Sequence, residues 1–198
     1  MKDVLAIWTE LIRNPRSLGT VAPSSAWLGK HLVTCSNITH KMNVVEIGAG
    51  TGPLTQEIIK VVPLTQFWAF EPNSNLAEKL REKHSGICVY ENKANELPMI
   101  QERDGIPKAD RILCSLPWSV FTEDMMVESL TGISEGLHKD GVFLTLVYAH
   151  AKYMPASGRL QNALSKIYQN VHFSDIEWRN IPPGQWIMCS NPKTRTST

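Results

Sequence analysis

Apolar residues along this chain gather into short continuous runs, and the stretches between them place apolar side chains at helical spacing. The runs Val44–Ile47, Phe67–Phe70, 87–90, 111–114 and 141–148 each suit a strand buried on both faces. Residues 54–62 read as a helix that stops at Pro63, and Pro72-Asn73 opens a second helix through Leu76, Leu80 and His84. A short helix is expected over 95–102 and another over 123–137, with Lys139-Asp140-Gly141 as a turn ahead of the longest run. Strands alternating with helices predict an α/β fold whose parallel sheet is covered on both faces. Beyond it, 158–168 reads as helix and 171–178 and 186–189 as strands, which give the sheet an antiparallel end. Ahead of it, Val4, Leu5, Trp8, Leu11 and Ile12 mark one apolar helix face. Pro23-Ser24 opens a further helix carrying Trp27, Leu28 and Leu32.

One of these runs ends in chemistry. Val44-Val45-Glu46-Ile47 leads into Gly48-Ala49-Gly50-Thr51-Gly52, three glycines on alternate positions behind one acid. Glycines there let the backbone turn tightly and let a ligand approach with no Cβ in the way. A second acid, Glu71, ends the next run. A dinucleotide fold uses G-x-G-x-x-G with its acid only after the second strand, so E-x-G-x-G-x-G is a different pattern. It resembles the first motif of the class I S-adenosylmethionine (SAM) dependent methyltransferases, a Rossmann-like fold with a mostly parallel seven-stranded sheet and helices on both faces. The resemblance implies SAM as cofactor and S-adenosylhomocysteine as product. It assigns Glu46, Gly48, Ala49, Gly50 and Gly52 to the cofactor turn and Glu71 to the ribose hydroxyls.

Further motifs bear on the acceptor. Ser115-Leu116-Pro117-Trp118 follows the fourth strand, where amino-group methyltransferases carry Asn/Asp-Pro-Pro-aromatic or Asn-Leu-Pro-Tyr. Serine replaces the Asn or Asp, a smaller partner for a base amine, which favours an aliphatic amine. After the third strand, where relatives place an acid for the adenine amino group, stands Asn92-Lys93-Ala94-Asn95. Ala94 backbone amides or the Asn95 side chain can supply hydrogen bonds there, and Asn95 can equally cap the next helix. The order of the Pro23-Ser24-Ser25 turn, the glycine turn, Ser115-Leu116-Pro117, Tyr148 and Ile181-Pro182-Pro183 resembles bacterial phospholipid N-methyltransferases, which convert phosphatidylethanolamine to phosphatidylcholine. That resemblance implies a segment from Gly19 to Ser25, with Thr20, Ser24 and Ser25, closing over the cofactor. Ser115, Leu116, Trp118 and Tyr148 are then expected to position the amine, with Ser115 also beside the cofactor. An RNA adenine dimethyltransferase, whose Asn-Leu-Pro-Tyr motif is similar to the one here, and a SAM-binding membrane-associated protein without turnover are the alternatives that the same motifs leave open.

Composition fits this picture. With 198 residues and 42% apolar content the chain suits one domain over 1–198, a helical membrane and lid segment at 1–32 preceding a core at 40–190. Net charge is +1, yet residues 1–32 carry four basic groups against two acidic and residues 152–198 six against two, so basic ends flank an acidic middle. The first helix, with Trp8, Arg13, Arg16 and Lys30 nearby, suits an anionic membrane surface. An amino phospholipid substrate, a cytoplasmic location against the inner face of the cell membrane, and no nucleic-acid partner are expected, since a near-neutral single domain shows no RNA-binding appendage. The four cysteines form no metal-binding spacing and read as reduced thiols, so no metal is expected. No apolar run approaches the roughly 20 residues of a membrane span, and no secretory signal pattern is present.

Overall fold

The computed structural model of the chain describes residues 26–149, 155–178 and 183–193. Seven strands form one sheet in the order β3-β2-β1-β4-β5-β7-β6. They are β1 Val44–Ile47, β2 Phe67–Phe70, β3 Cys88–Tyr90, β4 Ala109–Cys114, β5 Leu137–Tyr148, β6 Tyr168–Phe173 and β7 Gly184–Pro192. The helices are α1 Ala26–Cys35, α2 Pro53–Ile58, α3 Ser74–Lys83, α4 Leu97–Asp104, α5 Glu123–Gly136 and α6 Pro155–Ile167. Strands β1 to β5 run parallel, and β7 pairs antiparallel with both β5 and β6. This is the Rossmann-like sheet expected from the sequence, antiparallel end included. The expected amphipathic helix over 4–13, and with it Thr20, Ser24 and Ser25, lies outside the described residues.

Alternation along each strand sorts the core into two layers. Val45, Ile47, Ile112 and Phe143 point to one face, where Leu97 and Ile100 of α4, Leu130 and Ile133 of α5, and Leu160 and Leu164 of α6 cover them. Val44, Leu113, Leu144 and Trp186 point to the other, under Leu32 of α1, Leu54 and Ile58 of α2 and Leu80 of α3. Two-sided burial explains why the strands read as unbroken apolar runs. Local chemistry sets several boundaries. Asn73 accepts the Leu76 N–H on its side chain and starts α3. Thr122 does the same for Met125 at α5.

Several expectations shift: the helix expected over 54–62 ends at Ile58, the next-to-last strand ends at Phe173 and not 178, and the helix before it starts at Pro155. The Lys139-Asp140-Gly141 turn is a bulge within β5: Ala109 pairs with Leu137 but Arg111 with Val142, so the extra residues loop out without ending the strand. Strand β6 begins at Tyr168, three residues before the expected start, because Tyr168 stacks its ring on Phe143 at 5.9 Å in the core. Asn95 caps no helix: the Glu96 carboxylate takes the Lys93 N–H at 2.7 Å, and a short turn at Ala94–Glu96 leads into α4. No helix among the described residues is long and apolar enough to cross a membrane.

Candidate cofactor-binding site

The carboxyl ends of β1, β2 and β4 meet at the glycine turn. Gly48 N–H donates to the Phe70 carbonyl at 2.8 Å, carrying the β1–β2 ladder one residue beyond the strand. Gly48, Gly50 and Gly52 have φ of 74°, 57° and 79°, the left-handed region that glycine enters without strain. Each is glycine for a further reason. A Cβ at Gly52 would stand 2.5 Å from Leu80 Cδ1 of α3, so this glycine lets the turn pack on the helix behind it. One at Gly48 would lie 3.2 Å from Leu116 Cδ2, in the loop after β4. At Gly50 a Cβ would meet nothing within 4 Å. Gly50 therefore faces open space, the kind of cradle a ligand fills and a side chain would obstruct.

Glu71 closes one side of that cradle. Its Oε2 accepts the Gly50 N–H at 2.8 Å and its Oε1 the Asn73 N–H at 2.9 Å, while its own N–H donates to the Tyr90 carbonyl. The carboxylate thus ties the glycine turn to the start of α3. Each oxygen keeps a lone pair for hydroxyl donors such as those of a ribose. Burial raises the Glu71 pKa above the usual carboxylate value, opposed by the N–H groups of Asn73 and Gly50.

Glu46 is the most unusual group in the site. It is wholly buried in β1, and Thr55 of α2 donates its hydroxyl to Oε2 at 2.6 Å. Oε1 has no hydrogen-bond partner. Burial pushes its pKa up to about 8, the Thr55 hydroxyl lowers it, and the charge of Glu71 raises it again. A buried carboxyl with one oxygen unsatisfied, beside a turn with open space at Gly50, suits a cationic ligand. SAM carries a sulfonium and an ammonium, so the donor set fits it.

The loop after β4 forms the other wall. Ser115 N–H donates to the Ile47 carbonyl at 3.0 Å, holding the loop against the end of β1. Leu116 is buried on Gly48, and its carbonyl accepts the Trp118 N–H at 3.0 Å in a tight turn. Trp118 differs from expectation. Its side chain is only 4% exposed, packs edge-on to Phe121 at 5.4 Å, and donates its indole N–H to Thr145 Oγ1 of β5 at 2.7 Å. It supports the loop from beneath and offers no open aromatic face. Tyr148, half-buried at the end of β5, lies on the same sheet end and pairs with Gly184.

Ala94 and Asn95 follow β3 on that end too, Ala94 buried and Asn95 exposed. Their backbone is pressed by α5: a Cβ at Gly132 would lie 2.5 Å from Asn95 Cα and 2.7 Å from the Ala94 carbonyl oxygen. The structure thus brings together Glu46, Gly48 to Gly52, Glu71, Ala94, Asn95, Ser115, Leu116 and Tyr148 at one sheet end, with Trp118 below. Thr55, Thr145 and Gly132 were not singled out from the sequence. Only spatial pairing with Glu46, Trp118 and Asn95 makes them part of the site. Among the described residues no cluster of His, Cys, Asp and Glu could hold a metal ion.

Comparison with known proteins accords with this arrangement. An ornithine lipid N-methyltransferase of Singulisphaera acidiphila is 27% identical over 197 residues, covering 98% of each chain. A ribosomal RNA small subunit methyltransferase A of Chlorobium limicola is 34% identical over 103 residues, 47% of this chain and 38% of that enzyme. The fold is shared with a SAM-dependent O-methyltransferase of Thermotoga maritima, at TM-score 0.64 and 12% identity over 95% of this chain and 72% of the other. The profile of the family described as ribosomal RNA adenine dimethylase matches residues 27–146, from α1 through β5, and so takes in the glycine turn, Glu71 and the Ser115 loop. The chain accordingly belongs to the ribosomal RNA adenine dimethylase family and is a class I SAM-dependent methyltransferase.

Proposed function

We propose that this methyltransferase acts on the headgroup amine of a membrane amino lipid, phosphatidylethanolamine with its methylated intermediates, or ornithine lipid. The observation that carries this is the end-to-end match to the ornithine lipid enzyme, against RNA enzymes that align over about half of the chain. Ser115 supports it, since a single hydroxyl suits an alkyl amine better than the edge of a base. A methylated adenine in RNA is the second reading, and the family profile over 27–146 favours it.

SAM, when bound, supplies an electrophilic methyl group. In this reading the glycine turn receives its methionine portion, Glu71 its ribose and Glu46 its positive charge. An alkyl ammonium has a pKa near about 10.4 and must lose a proton before it can attack. Removal from water and the nearby positive charge both disfavour the protonated amine, so alignment does most of the work. Ser115 and the Leu116 carbonyl, held against β1, accept hydrogen bonds from the amine, and Tyr148 presents an aromatic face to a partly methylated ammonium. The enzyme works at the inner face of the cell membrane, and the apolar stripe of Val4, Leu5, Trp8, Leu11 and Ile12 contacts anionic lipid. The test is methyl transfer from labelled SAM to vesicles of phosphatidylethanolamine, to vesicles of ornithine lipid and to an RNA panel, with a no-acceptor control. Label in an amino lipid is expected. Label in RNA alone would replace this reading with the second.

A further inference from the structure

Trp178 is 72% exposed and Phe173 45% exposed, the first being the most exposed large apolar side chain among the described residues. We propose that the side chains of Phe173, at the end of β6, and Trp178, five residues later, insert into the bilayer surface and hold the cofactor end of the sheet against the membrane. The inference rests on the amino-lipid reading and adds to it a contact in the opposite terminal part of the chain from the amphipathic start.

Register places both residues at the working end of the sheet. Phe173 pairs with Ile187, Ile187 with Thr145, Thr145 with Cys114 and Cys114 with Ile47, so Phe173 is level with the last residue before the glycine turn. Glu177 bridges to Gly184, which pairs with Tyr148, and Trp178 follows immediately. An enzyme that draws its acceptor from a bilayer must turn this end toward it.

Size and residue type identify the occupant. The two side chains expose roughly 250 Å² between them, judged from the 150–250 Å² such side chains bury. A stable protein partner needs about 800 Å² on each side. An exposed tryptophan at this end of the sheet instead suits the headgroup boundary, where tryptophan is enriched. Residues 152–198 carry six basic groups against two acidic, and the sequence from Trp178 onward contains Arg179, Lys193 and Arg195 and no Asp or Glu. The two acids, Asp175 and Glu177, directly precede Trp178. Charge near Trp178 is therefore mixed, and the aromatic contribution comes from insertion.

The experiment compares full-length wild type with Trp178→Ala/Phe173→Ala and with Trp178→Tyr on vesicles of phosphatidylethanolamine, ornithine lipid and phosphatidylglycerol, measured by flotation at low and high salt. Removing the two side chains is expected to weaken association at least tenfold, since burial of one aromatic side chain alone is worth about that factor. That factor should be equal at both salt concentrations, Trp178→Tyr should keep most of the binding, and SAM affinity should be unchanged. Wild-type association matched by the alanine variant overturns the inference and leaves the amino-lipid reading standing. Wild type that neither binds nor methylates the vesicles overturns both. Loss of a dimer in the alanine variant, seen by light scattering, assigns these side chains to self-association and overturns the inference as well.

Discussion

Replacing Glu46 with glutamine removes one titration and little else. Glu46 ordinarily titrates at 4.5, and its burial in β1 raises this to about 8. Between those values the folded protein holds a proton that the unfolded chain has released. Stability therefore falls as pH rises, by about 1.4 kcal/mol per pH unit for one proton. It is fully present below 4.5, falls through that window, and is flat above about 8. From pH 6 to pH 8.5 wild type without ligand should lose about 2–3 kcal/mol by this route, a substantial part of a typical domain's total. Glutamine has the same shape, keeps an oxygen for the Thr55 hydroxyl, and has nothing to ionise. Urea unfolding of both proteins at pH 6, 7, 8 and 8.5 isolates the effect, since groups remote from Glu46 contribute equally to each and Glu71, whose charge acts on Glu46, is the one coupled neighbour. The two curves should converge at the acidic end, apart from a constant offset, and separate by about 2–3 kcal/mol at the alkaline end. If the wild-type and Glu46→Gln slopes agree, the carboxyl is already ionised at neutral pH and the burial argument is wrong.

The glycines of the turn should separate folding from binding. Gly52→Ala, with φ of 79° and a Cβ only 2.5 Å from Leu80, should cost about 2–4 kcal/mol in chemical denaturation. Gly50→Ala should cost only about 1 kcal/mol, for its φ of 57°, yet weaken SAM at least tenfold by isothermal titration, because its methyl group enters the open space. Glu71→Ala loses the link between Gly50 and α3 as well as the ribose partner, and SAM binding should fall below detection; unchanged affinity would remove Glu71 from the site. Trp118→Phe deletes one buried hydrogen bond and should lower stability by about 1 kcal/mol with SAM affinity intact. A large loss of affinity there would mean that the indole does more than brace the loop.

What the sequence made legible depended on how local each signal was. Glu46, the glycines and Glu71 sit at the ends of unbroken apolar runs, and the strand-turn-helix geometry follows from residues adjacent in the chain. Helical spacing over 158–168 places Tyr168 at the end of a helix, whereas its inward position in β6 is set by Phe143, in another strand. The loop motif alone points Trp118 at the substrate, because nothing nearby in the chain announces Thr145, 27 residues away, as the acceptor of its indole N–H. Gly132 gave no signal either: in a helix a glycine reads as a weak point. Only the approach of the Ala94–Asn95 backbone shows it to be a point of contact.

The insertion of β7 between β5 and β6 bears on how the protein is made. Synthesis delivers β5 long before residue 184, and until then its outer edge, carrying Phe143, Leu144 and Leu146, has no strand beside it. The nascent domain must hold an unpaired apolar edge for more than 30 residues of elongation, a condition that invites association with other chains. A truncation between β6 and β7 would remove an interior strand of the sheet. Strand β7 therefore acts as the closing piece of the sheet, and its loss should produce an insoluble product even though the glycine turn and both acids are intact.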